Sequence, residues 1–148
     1  MRERGVMRRF VVLDSLLLRL LAEPPGALHL LGGCVLENSF AAWASARVEV
    51  SYSSGTFNAS PESLARALSW LEEEGAELVG VYHAHPCGGA RPSPLDVLSL
   101  RKTGLAWVIR SGSSLKAWVL EGSAVREVPL VAVSRFSLPC QRPPGCSR

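Results

Sequence analysis

The segment from Glu77 to Gly104 leaves the chain little conformational freedom. Glu77 to Tyr82 is an apolar run of strand length and reads as a buried strand. Pro86, Gly88, Gly89 and Pro92 then interrupt any regular element and suit a tight reversal. Ser93 follows as a helix N-cap with Pro94 at the first helical position, and Gly104 supplies a stop. A strand, a reversal and a helix in this order fold the helix start back onto the strand end.

The rest of the chain mixes both element types. Asp14 can N-cap an apolar helix that runs to about Ala22 and is ended by Pro24 and Pro25. Residues 27–31 and 34–37 are short apolar runs around Gly32-Gly33, the form of a buried strand or of a hairpin. Ala46 to Tyr52 is strand-like, and Ser53 to Ser60 reads as a turn-rich loop. Ser60-Pro61 opens a helix whose Leu64, Ala67, Leu68 and Leu71 recur at helical spacing up to Gly75. Three strands remain, over 105–110, 115–120 and 124–133. This order predicts an α+β class, a mixed α/β sandwich with its sheet between helices.

With 148 residues, 47% of them hydrophobic and 20% charged, the chain has apolar material for one core and is too short for two ordinary domains. The expected organisation is a flexible N-terminal arm over 1–9, a single domain over 10–133 and a flexible C-terminal tail over 134–148. The net charge of +3 is unevenly placed. Both ends are basic, while the body between them carries more acids than bases. A duplex-binding domain carries its basic stripe on the folded core, so no nucleic-acid partner is expected.

Arg19 and Glu23 interrupt the most hydrophobic segment, 10–31, so no stretch reaches the roughly 18 apolar residues of a membrane span. Asp14 and Arg19 also spoil the basic-then-apolar start as a signal peptide, and a cytoplasmic location is expected. The four cysteines are scattered and form no CxxC pair, which excludes the usual structural zinc site. A bridge between Cys140 and Cys146 is conceivable.

Chemistry concentrates in Val81-Tyr-His83-Ala-His85-Pro86 and Ser93-Pro-Leu-Asp96. His83 and His85, two apart at a strand end, project to the same side and can reach one ion. A hydrolytic zinc site takes three protein ligands and keeps a fourth position for water. Asp96, in the first turn of the next helix, can be the third ligand. The same Ser-x-x-Asp also has the form of a capping box, and the two roles are compatible because a capping carboxylate can turn its outer oxygen to a metal.

This pattern resembles the signature of the JAMM metalloproteases, also called the MPN-plus family (Mov34/MPN/PAD-1-like, JAB domain). The likeness extends over roughly residues 10–130: a helix, prolines, an apolar run with Gly-Gly, strands, a helix, then a strand into His-x-His-Pro. It implies a central curved mixed sheet flanked by helices, in the cytidine-deaminase-like architecture of that family. It implies one zinc per chain, held by His83, His85 and Asp96, with Ser93 donating a hydrogen bond to the oxyanion formed at the scissile carbonyl. It further implies isopeptidase or peptidase activity on a ubiquitin-like or sulfur-carrier protein tail.

Family members take the general base from a Glu just before the first strand. Aligning Pro24-Pro25-Gly26-Ala27-Leu28-His29-Leu30-Leu31-Gly32-Gly33 to that region puts Gly26 at the Glu position, with Glu23 three residues earlier. Glu23 is therefore the candidate base, with Glu37, another acid or no base as alternatives. His29 reads as a core histidine. Cys87, two residues after the second ligand, reads as a small loop residue, although a thiolate there can also bind zinc. The four Trp read mostly as core. Two further readings share the motif: a non-catalytic MPN scaffold, and a RadC-like protein, against which stands the absence of a basic core.

Overall fold

The computed structural model describes residues 6–7, 9–53 and 56–140. Ten strands and three α-helices follow one another as β1 (Arg9–Leu13), α1 (Asp14–Leu21), β2 (Leu28–Val35), β3 (Ser39–Val48), β4 (Val50–Ser53), β5 (Thr56–Ala59), α2 (Pro61–Glu73), β6 (Glu77–Ala84), α3 (Pro94–Thr103), β7 (Ala106–Ser111), β8 (Ser114–Glu121), β9 (Ala124–Val128) and β10 (Leu130–Val133). Eight strands form one mixed sheet in the order β10-β1-β3-β2-β6-β7-β8-β9, and β4 and β5 make a separate hairpin. The class is α+β, as expected. No described helix is long and apolar enough to cross a membrane.

Alternation along the central strands sorts their side chains to two faces. Leu31, Tyr82 and Val108 meet Leu16 and Leu20 of α1 on one face. Leu28, Leu30, Val81, Trp107 and Ile109 meet Ala67 and Leu71 of α2 and Leu100 of α3 on the other. Helices on both sides explain why the central strands read as continuous apolar runs rather than alternating ones.

The Gly32-Gly33 pair lies inside a continuous strand, not in a hairpin. The register between β2 and β3 shifts there, with Gly32 opposite Ala44 and Gly33 opposite Ala42, which leaves Trp43 as the extra residue of a bulge. Close approach demands glycine: a Cβ on Gly33 would sit 1.8 Å from the Ala41 carbonyl oxygen, and one on Gly32 would sit 2.7 Å from Leu71 Cδ2.

Four expectations are corrected. Phe10 to Leu13 forms β1, paired in parallel with both β3 and β10, so that Asp14 is the first helical residue and Leu13 the cap, with no side-chain capping bond. The stretch 124–133 is two strands, because Pro129 interrupts it: β9 ends on one edge of the sheet and β10 lies on the opposite edge. The loop expected over 53–60 contributes β5. Cys140 is bonded to Cys34 at the end of β2, not to Cys146, which lies outside the described residues. Within the two expected terminal extensions, Met7 is buried in the first core cluster, and Leu138 and Cys140 pack on the second.

The bulge generates a stability test. Gly33→Ala should cost about 1–3 kcal/mol or more, because the clash is with backbone that cannot rotate away. Urea denaturation reads this as a lower midpoint. An unchanged midpoint would mean that β2 and β3 do not approach as described.

Candidate metal centre

His83 is the penultimate residue of β6 and stands opposite Leu28 of β2 and Ile109 of β7. Those neighbours belong to the α2/α3 face, so strand alternation puts the His83 imidazole on that face. His85 continues the direction past the strand end, its N–H donating to the Arg110 carbonyl at 2.7 Å. Asp96 enters from the first turn of α3. Donor atoms of His83, His85 and Asp96 lie within 4.8 Å of one another, close enough for one ion. The two imidazoles meet edge to face, with centroids 5.0 Å apart.

The expected capping box at Ser93 is present. Ser93 Oγ accepts the Asp96 N–H at 3.2 Å, and Asp96 Oδ2 accepts the Ser93 N–H at 2.8 Å. Asp96 is thereby fixed with Oδ2 also 3.0 Å from His85 Nε2 and Oδ1 3.8 Å from His83 Nδ1. The loop between the two ligand segments is tied down at three points. His85 Nδ1 donates to the Gly89 carbonyl at 3.1 Å, the Ser111 hydroxyl donates to the Gly88 carbonyl, and Trp118 Nε1 donates to the Ala90 carbonyl at 2.9 Å. A carbonyl can only accept, so Nδ1 of His85 carries a proton. Nε2 is the nitrogen turned to Asp96, the arrangement that orients a metal-binding imidazole.

The electrostatics follow from burial and these partners. Burial alone would push the Asp96 carboxyl upward. The His83 and His85 imidazoles and the Ser93 hydrogen bonds outweigh it and hold the carboxyl well below the usual carboxylate range. The hydrogen bond to Asp96 pushes His85 upward, with burial opposing and the Gly89 carbonyl assisting. Asp96 Oδ1 is buried and lacks a hydrogen bond among the described residues. Two imidazole nitrogens and a carboxylate oxygen gathered within this distance fit a divalent cation of the zinc class. His83, His85 and Asp96 can therefore hold a metal ion.

Glu23 is placed differently. Its Oε1 lies 3.1 Å from His29 Nε2 and its Oε2 lies 3.7 Å from Arg47 Nη1. His29 stands opposite Tyr82 and Arg47, one residue out of phase with Leu28 and His83, so its ring belongs to the α1 face. The contacts of Glu23 are thus on the sheet face opposite His83. Glu37 lies in the turn between β2 and β3, nine residues beyond Leu28, on the order of 30 Å along the strand and out of reach. Burial lowers the His29 pKa, with the Glu23 carboxylate opposing, which agrees with its reading as a core histidine. Cys87 is exposed and unbridged. Of the four Trp, Trp43 and Trp107 are buried, while Trp118 fastens the ligand loop and Trp70 is partly exposed.

Two residues of the surroundings escaped sequence reasoning. Arg110 donates to the Tyr82 hydroxyl at 2.7 Å and to the carbonyl of Glu23, while its own carbonyl holds His85. Glu49 lines, with Pro25, Gly26, Ala27 and Arg47, a cleft of about 450 Å³ beside the Gly26 N–H, which donates to the Ala84 carbonyl at 2.7 Å. No local pattern marks either residue, because Arg110 acts across the sheet and Glu49 is placed by backbone contacts to Ser60 and Ser63.

Comparison with known proteins agrees with this geometry. The family model described as prokaryotic homologs of the JAB domain matches residues 21–121. A probable TtuB-protein conjugate cleaving protease of Thermus thermophilus is 41% identical over 73 residues, covering 49% of this chain and 49% of the relative. A desampylase of Pyrococcus furiosus is 31% identical over 77 residues, covering 51% of this chain and 55% of the relative. The chain thus spans about half the length of the curated relatives it matches. The solution structure of a protein from Desulfitobacterium hafniense superposes with a TM-score of 0.70 at 20% identity, over 84% of this chain and 93% of the other. One from Salinibacter ruber gives 0.62 at 24%, over 88% and 95%. At these identities the two structures speak for the fold, and the family match speaks for descent: the chain belongs to the prokaryotic homologs of the JAB domain.

Proposed function

We propose that the chain is a zinc-dependent metallo-isopeptidase or peptidase that hydrolyses the bond joining the tail of a ubiquitin-like or sulfur-carrier protein to an amine. The observation that carries this reading is the convergence of His83, His85 and Asp96 beside a Ser93 fixed on the same helix start. The names of the two curated relatives, a conjugate cleaving protease and a desampylase, support the substrate class. Zinc supplies Lewis acidity and brings the pKa of water to about 7 when bound to such a ligand set.

The chain's own residues have distinct tasks. His85, anchored by Gly89, keeps Nε2 available, and Asp96 stays ionised between the two imidazoles. Ser93 accepts the Asp96 N–H on its oxygen, and its hydroxyl can turn its proton to an oxyanion. The cleft beside Gly26 gives an extended tail access to the strand end. Glu23 takes the proton of the attacking water and returns it to the departing amine once it has left His29 and Arg47. The engagement of Glu23 by those two residues favours a second reading, a metal-binding MPN-type module without hydrolysis.

Protein loaded with zinc should contain one ion per chain by elemental analysis. His83→Ala, His85→Ala and Asp96→Ala should each lower that occupancy while far-ultraviolet circular dichroism stays near wild type. Uptake should weaken as pH falls, because a ligating imidazole must be neutral and the Asp96 contact makes His85 retain its proton to higher pH than a free imidazole. A folded sample that takes up no zinc on titration would sink both readings.

Ser93→Ala should keep its zinc while losing turnover of a ubiquitin-like conjugate, together with about 0.5–2 kcal/mol of stability from the lost cap. Full activity in that variant would leave Ser93 a capping role alone.

Glu23→Gln should retain zinc and shape but turn over such a conjugate about 100- to 10,000-fold more slowly, since an amide cannot accept the water's proton. An unchanged rate assigns the base elsewhere. A zinc-loaded wild type with no turnover favours the binding module.

A further inference from the structure

A second cavity, of about 580 Å³, opens between α2, the bulge of β3 and the segment after β10. We propose that it binds a small aromatic anion, a planar apolar ring system carrying a carboxylate or sulfonate, in a site completed by the Cys34–Cys140 bridge. Its size falls in the roughly 300–1,000 Å³ range of small-molecule sites. It is separate from the metal centre. Leu28 faces His83, whereas Cys34, six residues further along β2, carries the bridge, a separation of roughly 20 Å at strand spacing.

The walls state the ligand's chemistry. Trp43, Trp70 and Phe136 offer three aromatic surfaces, and Leu13 and Leu138 add aliphatic ones. Trp43 reaches this wall because it is the bulge residue. Trp70 is 37% exposed and Phe136 81%, large aromatic areas left in water beside a concavity. The charged lining residues are Arg19 and Arg135, with no acid among them. Neither guanidinium has an ion pair among the described residues. Arg135 lies over the Phe136 ring at 4.7 Å, an arrangement that leaves its N–H edge to bind an anion. Rings for stacking and two unopposed cations select a flat apolar body with an acidic group. The sequence from Gln141 to Arg148 offers no acidic side chain to these cations, since it adds Arg142 and Arg148 and no Asp or Glu.

The bridge builds one wall. Arg135, Phe136, Leu138 and Cys140 all line the cavity, and Cys140 is the residue bonded to Cys34. Reduction frees this segment from the sheet and removes one cation and one ring from the site, so that the affinity depends on the redox state of the pair.

The test is a titration of the full oxidised chain with 2-naphthoate, followed by the indole N–H resonances of the four Trp. Saturable shifts confined to Trp43 and Trp70 are expected, with Trp107 and Trp118 as internal controls. The neutral 2-naphthamide, the Arg19→Gln/Arg135→Gln double variant and Phe136→Ala should each bind at least tenfold more weakly. Phe136 is exposed enough that its variant should fold normally. The reduced protein, and Cys140→Ser, should also bind at least tenfold more weakly. The proposal is overturned if shifts do not saturate or spread to all four Trp, if naphthamide binds as well as naphthoate, or if reduction leaves the affinity unchanged. A truncation after Cys140 that raises affinity tenfold or more would assign the cavity to the chain's own end and overturn it as well.

Discussion

The buried carboxylate of Asp96 is the interaction around which the site is arranged. It is fully inaccessible to solvent, and an ionised carboxylate in that position is tolerable only with charge or hydrogen-bond partners on several sides. Those partners are the Ser93 N–H, His85 Nε2 and His83, so that one side chain caps α3, orients two imidazoles and offers an oxygen to an ion. Helix start and strand end are thereby held in one geometry by electrostatics. The loop between them needs only to avoid strain, and its three fastenings each join a side-chain donor to a loop carbonyl, at Gly88, Gly89 and Ala90.

A second coupling runs through the sheet. The Arg110 carbonyl holds the His85 N–H and extends the parallel ladder of β6 and β7 past the last strand residue. The same residue's guanidinium crosses to the α1 side, where it meets the Tyr82 hydroxyl and the carbonyl of Glu23, while Tyr82 donates to the Leu20 carbonyl at 2.7 Å. The end of α1 and the backbone after His83 are therefore positioned by one residue, the first through its guanidinium and the second through its carbonyl. Substitution at Arg110 removes the guanidinium contacts on the α1 side and leaves in place the carbonyl that holds His85.

The site was more legible than the sheet. His83, His85, Ser93 and Asp96 declare themselves because a strand period, a Pro/Gly loop and a capping pattern are all local, and local rules decide where such side chains point. β1 was not legible, since Phe10 to Leu13 is apolar on both faces and joins without a break to the apolar α1. Only its parallel neighbours β3 and β10 distinguish strand from helix there, and neither is adjacent in sequence. The Cys34–Cys140 bridge was hidden for the same reason: its 106-residue separation is closed by β10 returning to the edge beside β1. The Gly32-Gly33 sequence is compatible with a buried strand or a hairpin, because a bulge within a strand and a hairpin turn ask for the same residues.

The position of Glu23 turns on small energies. Burial lowers the His29 pKa, so at neutral pH the contact joins a carboxylate to an uncharged imidazole rather than to a cation. That 3.1 Å contact lacks hydrogen-bond geometry and contributes no more than a net hydrogen bond, on the order of 1 kcal/mol. Arg47 is 59% exposed at its side chain and 3.7 Å away, and pairs of that kind contribute only about 0–1 kcal/mol. Arg110 holds the Glu23 carbonyl, not its carboxylate, so the backbone can stay in place while the side chain changes partner. In the proposed function, a protein substrate seated in the cleft beside Gly26 would meet Arg47 and Glu49 and could offset costs of this size through its own contacts. On the proposed function, hydrolysis therefore depends less on His83, His85 and Asp96, which already stand together, than on whether a partner loosens the hold of His29 and Arg47 on the Glu23 carboxylate.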